Sequence, residues 1–187
     1  MRAARRKHVA GLPASTSALM FLRPPAAVAN LAPEVSTVGL YHAHGSEAPT
    51  AAYARWFYEN GRHLALPWFA SRGAPMRFRR WHNPFDAGEL APGPFGGMQP
   101  RADADDADGP DGANPTLVIV PLIAFTAGCD RLGQGGGHYD RWLAAHPDVT
   151  AIGLAWDCQL VAALPVEDHD CTLDAVVTPT RLFEGER

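Results

Sequence analysis

Residues 131–140 read Arg131-Leu132-Gly133-Gln134-Gly135-Gly136-Gly137-His138-Tyr139-Asp140, and they follow Thr116-Leu117-Val118-Ile119-Val120-Pro121, the clearest strand pattern in the chain. A helix-like segment, Tyr139 to Ala145, comes next. The order strand, glycine-rich loop, helix points to an α/β fold. Four glycines in the five positions 133–137 remove Cβ atoms, so backbone N–H groups can approach a ligand closely. A helix N-terminus behind the loop adds partial positive charge, which suits a phosphate. Arg131 adds a planar cationic fork. Asp140 stands where a metal ion beside that phosphate would need a carboxylate. On the glycines alone, a turn that simply requires positive φ explains the loop equally well. It is neither a Walker A loop, which ends in Gly-Lys-Ser/Thr, nor a G-x-G-x-x-G dinucleotide fingerprint.

Outward from this stretch, strands and helices alternate. Strands are expected at Val35–Tyr41, with Gly39 as a weak point, and at His63–Leu66, Met76–Trp81, 116–120, 149–155 and 173–178. Helices are expected at 2–10, at 18–22 after the N-cap candidates Ser15 to Ser17, from Pro49 onward with Tyr53, Trp56 and Phe57 inward, at 139–145 and at 158–163. Residues 82–100 carry little periodicity. Residues 101–115 contain five Asp and read as a solvated insertion into one domain spanning 1–187. An EF-hand reading of that run fails for want of a Glu at the twelfth position.

Composition narrows the function classes. The net charge of −4 gives no global signal for nucleic acid. No apolar run approaches the roughly 20 residues of a membrane helix. The basic start followed by 18–22 faintly resembles a signal peptide, but Pro13, Arg23, Pro24 and Pro25 keep it too short. A cytoplasmic protein, monomeric and without membrane partners, is expected. Cys129, Cys158 and Cys171 are widely spaced and form no C-x-x-C pair, which argues against a disulfide framework or structural zinc. Cys129 lacks the partner motifs of a nucleophile.

Other residues stand out. Asp140 and Asp170 form a candidate acidic pair; Mg²⁺ typically takes one or two carboxylates plus nucleotide phosphates. Loops at the carboxyl ends of neighbouring strands could bring them together, although Asp170 also suits a simple turn. Glu47 is either a ligand carboxylate or an early-helix acid. Arg2, Arg5 and Arg6 are either a phosphate clamp or a solvated tail. His42 and His44 lack a third metal ligand and are expected to border a pocket instead.

The whole string R-L-G-x-G-x-G-[YH]-Y-D, preceded by V-P-x-x-A-F, resembles the 5-formyltetrahydrofolate cyclo-ligase family, also called methenyltetrahydrofolate synthetases. Glu47-Ala48-Pro49-Thr50 resembles the family's E-[VI]-x-T motif, and Leu164 to Asp170 its L-P-x-E-x-H-D motif. The resemblance implies a three-layer, Rossmann-like α/β fold with a mainly parallel sheet, of the kind shared with sugar-phosphate isomerases and CoA transferases. It implies ATP-dependent cyclisation of 5-formyltetrahydrofolate, a reduced folate, to 5,10-methenyltetrahydrofolate. ATP would be held by Arg2, Arg6 and residues Arg131, Leu132, Gly133, Gln134, Gly135, Gly136, Gly137, His138 and Tyr139. The folate would meet His42, Glu47, Gln134, Gly135, Gly136, Gly137 and His138. Arg131 and Tyr139 would be catalytic, and Mg²⁺ would sit on Asp140 and Asp170. The chain departs from the pattern at Gln134, at His138, at Gln99 and Thr126, and at Arg5, where the family carries an aliphatic residue. A relative that binds nucleotide or folate without this activity, a sugar-phosphate isomerase-like protein using the loop for another phosphate, and a non-enzymatic nucleotide-binding module are the alternatives.

Overall fold

The structure is a computed structural model in which residues 1–103, 114–165, 167 and 170–185 are described. Three helices, α1 (Arg2–Ala10), α2 (Ala14–Leu19) and α3 (Ala26–Ala29), precede strand β1 (Thr37–Gly39). Helix α4 (Ala51–Glu59) leads to β2 (His63–Trp68) and β3 (Arg77–Trp81). A small hairpin of β4 (Leu90–Pro92) and β5 (Met98–Pro100) precedes β6 (Leu117–Pro121). A second hairpin, β7 (Ala124–Phe125) with β8 (Arg131–Leu132), leads into α5 (His138–Ala145). Strands β9 (Thr150–Leu154), β10 (Ala175–Val177) and β11 (Leu182–Glu184) complete the chain.

Seven strands form one sheet in the order β11-β10-β9-β6-β1-β2-β3. The five inner strands are parallel, and β3 and β11 close the two edges antiparallel. The sheet is therefore mainly parallel, as expected. Side chains alternate along each inner strand, so β6 sends Leu117 and Ile119 to one face and Val118 and Val120 to the other. The first face packs on Phe21, Val28, Tyr53 and Phe57 from α3, α4 and the segment between α2 and α3. The second packs on Trp142 and Leu143 of α5 and on Phe125 and Cys129 of the second hairpin. Apolar residues thus cover both faces, as a parallel sheet requires.

Several boundaries differ from the sequence reading. Helix α2 starts at Ala14 behind Pro13, without Ser15–Ser17 as caps, and ends before Met20. Proline at N-cap leaves the first turn free of side-chain capping. Helix α4 begins at Ala51, because Thr50 turns its hydroxyl onto Tyr41 O at 2.5 Å instead of entering the helix. The expected helix at 158–163 is a single 3-10 turn, Asp157–Gln159, since Gln159 uses its side chain on Trp156 N and Leu122 O. Residues 173–178 do not end the sheet; β11 pairs with β10 beyond them. The core of the Asp-rich insertion, 104–113, lies outside the described residues, as do Val166, Asp168 and His169 of the 164–170 motif.

Gly39 is a packing requirement rather than a weak point. A Cβ built there would lie 2.7 Å from Phe78 Cε1 and 2.8 Å from Val118 Cγ1. Gly39→Ala is expected to cost about 1–3 kcal/mol by overpacking, read as a lower urea midpoint with an unchanged slope. A wild-type midpoint would show that Phe78 gives way freely.

Candidate active site at the switch point of the sheet

Strand order reverses between β1 and β6: the chain proceeds from β1 to β2 on one side and from β6 to β9 and β10 on the other. In open α/β sheets the crevice outside the carboxyl ends at such a reversal is where ligands bind. The segment after β1 carries Tyr41, His42 and Glu47. The segment after β6 carries the glycine loop. They meet there: Gln134 Nε2 donates to Glu47 Oε1 at 2.9 Å, across 87 residues of chain. Glu47 Oε2 accepts from His44 N at 2.8 Å. Helix α1 closes the third side, where Arg2 Nη2 donates to Gln134 O at 3.2 Å.

The glycine loop does not follow β6 directly, as the sequence suggested. The second hairpin intervenes, and Arg131 and Leu132 are its last strand rather than loop residues. Its turn is set by Thr126, whose hydroxyl donates to Asp130 Oδ2 at 2.9 Å and accepts from Asp130 N at 3.2 Å. Only positions 133–137 are loop. Gly135 and Gly137 have φ of +92° and +57°, and Gly137 is the N-cap of α5, so glycine is needed at both. The N–H groups of residues 133–137 donate to no group among the described residues. Beside them opens a cleft of about 570 Å³ lined by Arg2, Arg6, Ile123, Leu132 and residues 133–135, together with Met1 and Ala3. Part of the unpaired loop, residues 133–135, thus shares one cleft with Arg2 and Arg6.

Arg131 points inward from β8. Its Nη2 donates to Asp140 Oδ1 at 2.5 Å, with the two side chains 4% and 13% exposed. Arg131 Nε and the Tyr139 hydroxyl are buried without a hydrogen-bond partner among the described residues. Orphaned buried donors are rare in folded proteins and mark places where a ligand or water completes the set. Tyr139 and Tyr41 both have phenols pushed well up by burial and, secondarily, by the negative charge of Glu47; Arg131 draws Tyr139 down, and Arg5 draws Tyr41 down. These causes place Tyr41, Glu47, Tyr139 and the two arginines in one electrostatic neighbourhood. His138 is held low by burial and by Arg141, whose Nη2 lies 3.2 Å from Nδ1. It also packs edge-on against Phe69 and, tilted, against Phe95. His42 is exposed, and its imidazole is lowered by desolvation and by His44.

The segment that carries Asp170 reaches Asp140 through Cys171, and not by the route the sequence suggested. Asp170 precedes β10 and so lies before that strand's amino end. The segment leading to it runs beside the second hairpin: Val161 N donates to Phe125 O, and Leu173 N to Cys129 O. Cys171 N then donates to Asp140 Oδ1 at 3.4 Å. Asp170 Oδ2 accepts from Glu167 N at 2.9 Å. No cluster of three or more metal-ligating side chains occurs among the described residues.

The sequence reading missed Tyr41, Ser46, Leu122, Trp156, Gln159, Phe69 and Phe95. Gln159, only 1% exposed, donates to Leu122 O at 2.7 Å. Trp156 Nε1 donates to Ser46 O at 3.0 Å. A buried glutamine and tryptophan just after a core strand were the available signal.

Three tyrosines, the buried Tyr41 and Tyr53 and the half-buried Tyr139 with its enclosed hydroxyl, stay neutral in the folded chain above the ordinary value of 10. The unfolded chain then loses phenolic protons first. Their contribution is complete below about pH 10 and is lost above it, by about 1.4 kcal/mol per pH unit for each tyrosine. Urea midpoints are expected to hold steady approaching pH 10 and fall steeply above it. A midpoint that stays level through a further pH unit would contradict this burial.

Residues 6–179 match the 5-formyltetrahydrofolate cyclo-ligase family. A 5-formyltetrahydrofolate cyclo-ligase of Escherichia coli (strain K12) is 50% identical over 70 residues, 36% of this chain and 38% of the relative's length. That of Mycolicibacterium smegmatis is 31% identical over 147 residues, 78% of this chain and 74% of its own. Among solved structures, a 5,10-methenyltetrahydrofolate synthetase from Mycoplasma pneumoniae superposes with a TM-score of 0.63 at 19% identity, covering 94% of this chain and 96% of that one. The NMR structure of the Aquifex aeolicus 5,10-methenyltetrahydrofolate synthetase gives 0.60 at 22%, covering 97% and 79%. At these identities the structural likeness speaks for the fold. No helix among the described residues is long and apolar enough to cross a membrane. Because the family's sequence pattern extends over nearly the whole chain, and the Mycolicibacterium relative aligns over most of both lengths, the chain belongs to the 5-formyltetrahydrofolate cyclo-ligase family.

Proposed function

We propose that this chain, acting as one domain, converts 5-formyltetrahydrofolate to 5,10-methenyltetrahydrofolate with hydrolysis of ATP to ADP and phosphate. The observation that carries this reading is the meeting of unlike halves at the switch point. Loop residues 133–135, whose amides are unpaired among the described residues, line the cleft with Arg2 and Arg6, and a carboxylate, Glu47, is bonded to the same loop through Gln134. The first half suits phosphates. The second suits a pterin, whose amino group and ring N–H present adjacent donors.

In this reading the γ-phosphoryl group passes from ATP to the formyl oxygen. A P–O bond to ADP breaks and one to the formyl oxygen forms. N10 then attacks the formyl carbon and releases its proton to solvent, the ring closes, and the oxygen leaves as phosphate. The protein's work is positioning and charge neutralisation. Residues 132–138 with Arg2 and Arg6 hold the nucleotide. Arg131 Nε and the Tyr139 hydroxyl, which have no hydrogen-bond partner among the described residues, face the transferring group. His42, Glu47 and residues 134–138 hold the folate.

Mg²⁺ fits Asp140 and Asp170. Both are hard oxygen donors; Asp140 stands in the first turn behind the glycine loop and spends one carboxylate oxygen on Arg131 and Cys171, and Asp170 adjoins Cys171 in the chain. When bound, the ion would neutralise phosphate charge. The three cysteines are free thiols, which suits a cytoplasmic setting, and the protein is taken to act there as a monomer.

The test follows absorbance of the methenyl product from 5-formyltetrahydrofolate, with and without ATP and Mg²⁺, alongside ADP release. Product and ADP should form together and only with all components present. Folded protein that forms no product would overturn the reading.

A further inference from the structure

Arg5 occupies a position where the family resemblance has an aliphatic residue, and it is buried, 8% exposed. On α1 it lies between Arg2 and Arg6, which line the cleft. Arg5 instead turns into the protein. Its Nε donates to Ser46 Oγ at 3.1 Å and its Nη1 to Leu122 O at 3.1 Å. Ser46 belongs to the segment after β1 and Leu122 to the segment after β6. One guanidinium therefore spans the two segments that flank the switch point, using the separated donors of its fork.

Both acceptor residues are fixed from a third direction. Leu122 O also accepts from Gln159, and Ser46 O from Trp156. The contacts then close on themselves. Ser46 precedes Glu47, Glu47 accepts from Gln134, and Gln134 accepts from Arg2, which returns the circuit to α1. An aliphatic side chain could bury at this position but could not bond either acceptor.

Helix α1 needs such an anchor. It has nine residues, no side-chain N-cap and no acidic residue in its first turn, and a helix this short is marginal in isolation. Its other attachments are His8 against Trp156, Val9 against the core, and the exposed Arg2 bond to Gln134 O. The first two do not set its rotation relative to the glycine loop, and the third is a single solvent-exposed bond, whereas the Arg5 fork is buried and reaches two acceptors.

We propose that Arg5 is a positioning residue, one that ties α1 to Ser46 and Leu122 and thereby aims Arg2 and Arg6 at the nucleotide. Its kinetic consequence rests on the cyclo-ligase reading; its structural consequence does not. The experiment uses the full chain with Arg5→Met, which keeps apolar bulk and removes the fork, and with Ser46→Ala. Amide hydrogen exchange without any substrate is the first arm. Arg5→Met should accelerate exchange at residues 6–10 about tenfold or more, as expected for losing hydrogen bonds from a charged donor, while β6 and β9 amides keep their rates. Ser46→Ala should accelerate the same amides less, and the double variant should fall short of the product of the two effects. The second arm is kinetic: KM for ATP should rise about tenfold, with KM for the folate unchanged. Unchanged exchange at 6–10, or equal acceleration throughout the sheet, would overturn the proposal. If the wild type makes no methenyl product, the functional reading fails, and the exchange arm still decides Arg5.

Discussion

Arg131→Met is expected to destabilise the protein by about 3–5 kcal/mol, the usual cost of leaving a buried carboxylate without its cation. Arg131 and Asp140 meet at 2.5 Å with almost no solvent around the arginine, so water cannot take over the lost bond. Activity should fall as well, by about 10²–10³-fold, the range seen when one preorganised donor to a developing negative charge is removed. Urea unfolding and initial rates separate the two effects, since rates can be measured where the variant remains folded. Arg131→Met with Asp140→Asn should recover much of the stability, because the stranded charge is gone, and none of the activity. A single variant that unfolds at the wild-type urea concentration would mean that Asp140 is not held as described.

How far the sequence disclosed this arrangement depends on the range of the interaction. The glycine loop was legible as a candidate because residue type and local spacing carry its chemistry, whereas Glu47 alone read equally as an early-helix acid and stood out only through the resemblance of Glu47 to Thr50 to the family motif. The parallel core was legible because Leu117 to Val120 and Ala151 to Leu154 are uninterrupted apolar runs, the mark of strands buried on both faces. The second hairpin was not. Two-residue strands have no readable period, and the turn between them places Cys129 at φ +67°, a conformation that sequence pattern does not predict for a non-glycine residue. Arg5 read as a departure from a motif because its acceptors lie 41 and 117 residues away. The route from the segment before β10 to Asp140 was not legible either: sheet topology alone would keep that segment at the amino side of β10, and the hairpin supplies the path that brings Cys171 to Asp140.

Glu47→Gln is expected to raise KM for the folate by about 100-fold while leaving KM for ATP unchanged. The carboxylate already accepts from two N–H groups, Gln134 Nε2 and His44 N, one on each oxygen. These are the donor type that a pterin presents, so the chain keeps this carboxylate poised for paired N–H donors. Glutamine offers only one acceptor and turns a donor toward the second N–H. Losing a charge-assisted bond and leaving a donor facing a donor corresponds to roughly 2–3 kcal/mol in such a site, hence the factor of about 100. The fold should survive, because two amide side chains at positions 47 and 134 can still pair. Titration of the tyrosines provides a readout that needs no substrate. The Glu47 charge opposes formation of a phenolate at both Tyr41 and Tyr139, so neutralising it must lower both ionisations toward the ordinary value. Tyrosinate absorbance in Glu47→Gln should therefore rise at lower pH than in the wild type. Superimposable titration curves would remove Glu47 from the neighbourhood of the two phenols. An unchanged folate KM alongside a shifted titration would leave the electrostatics intact and remove Glu47 from the folate site.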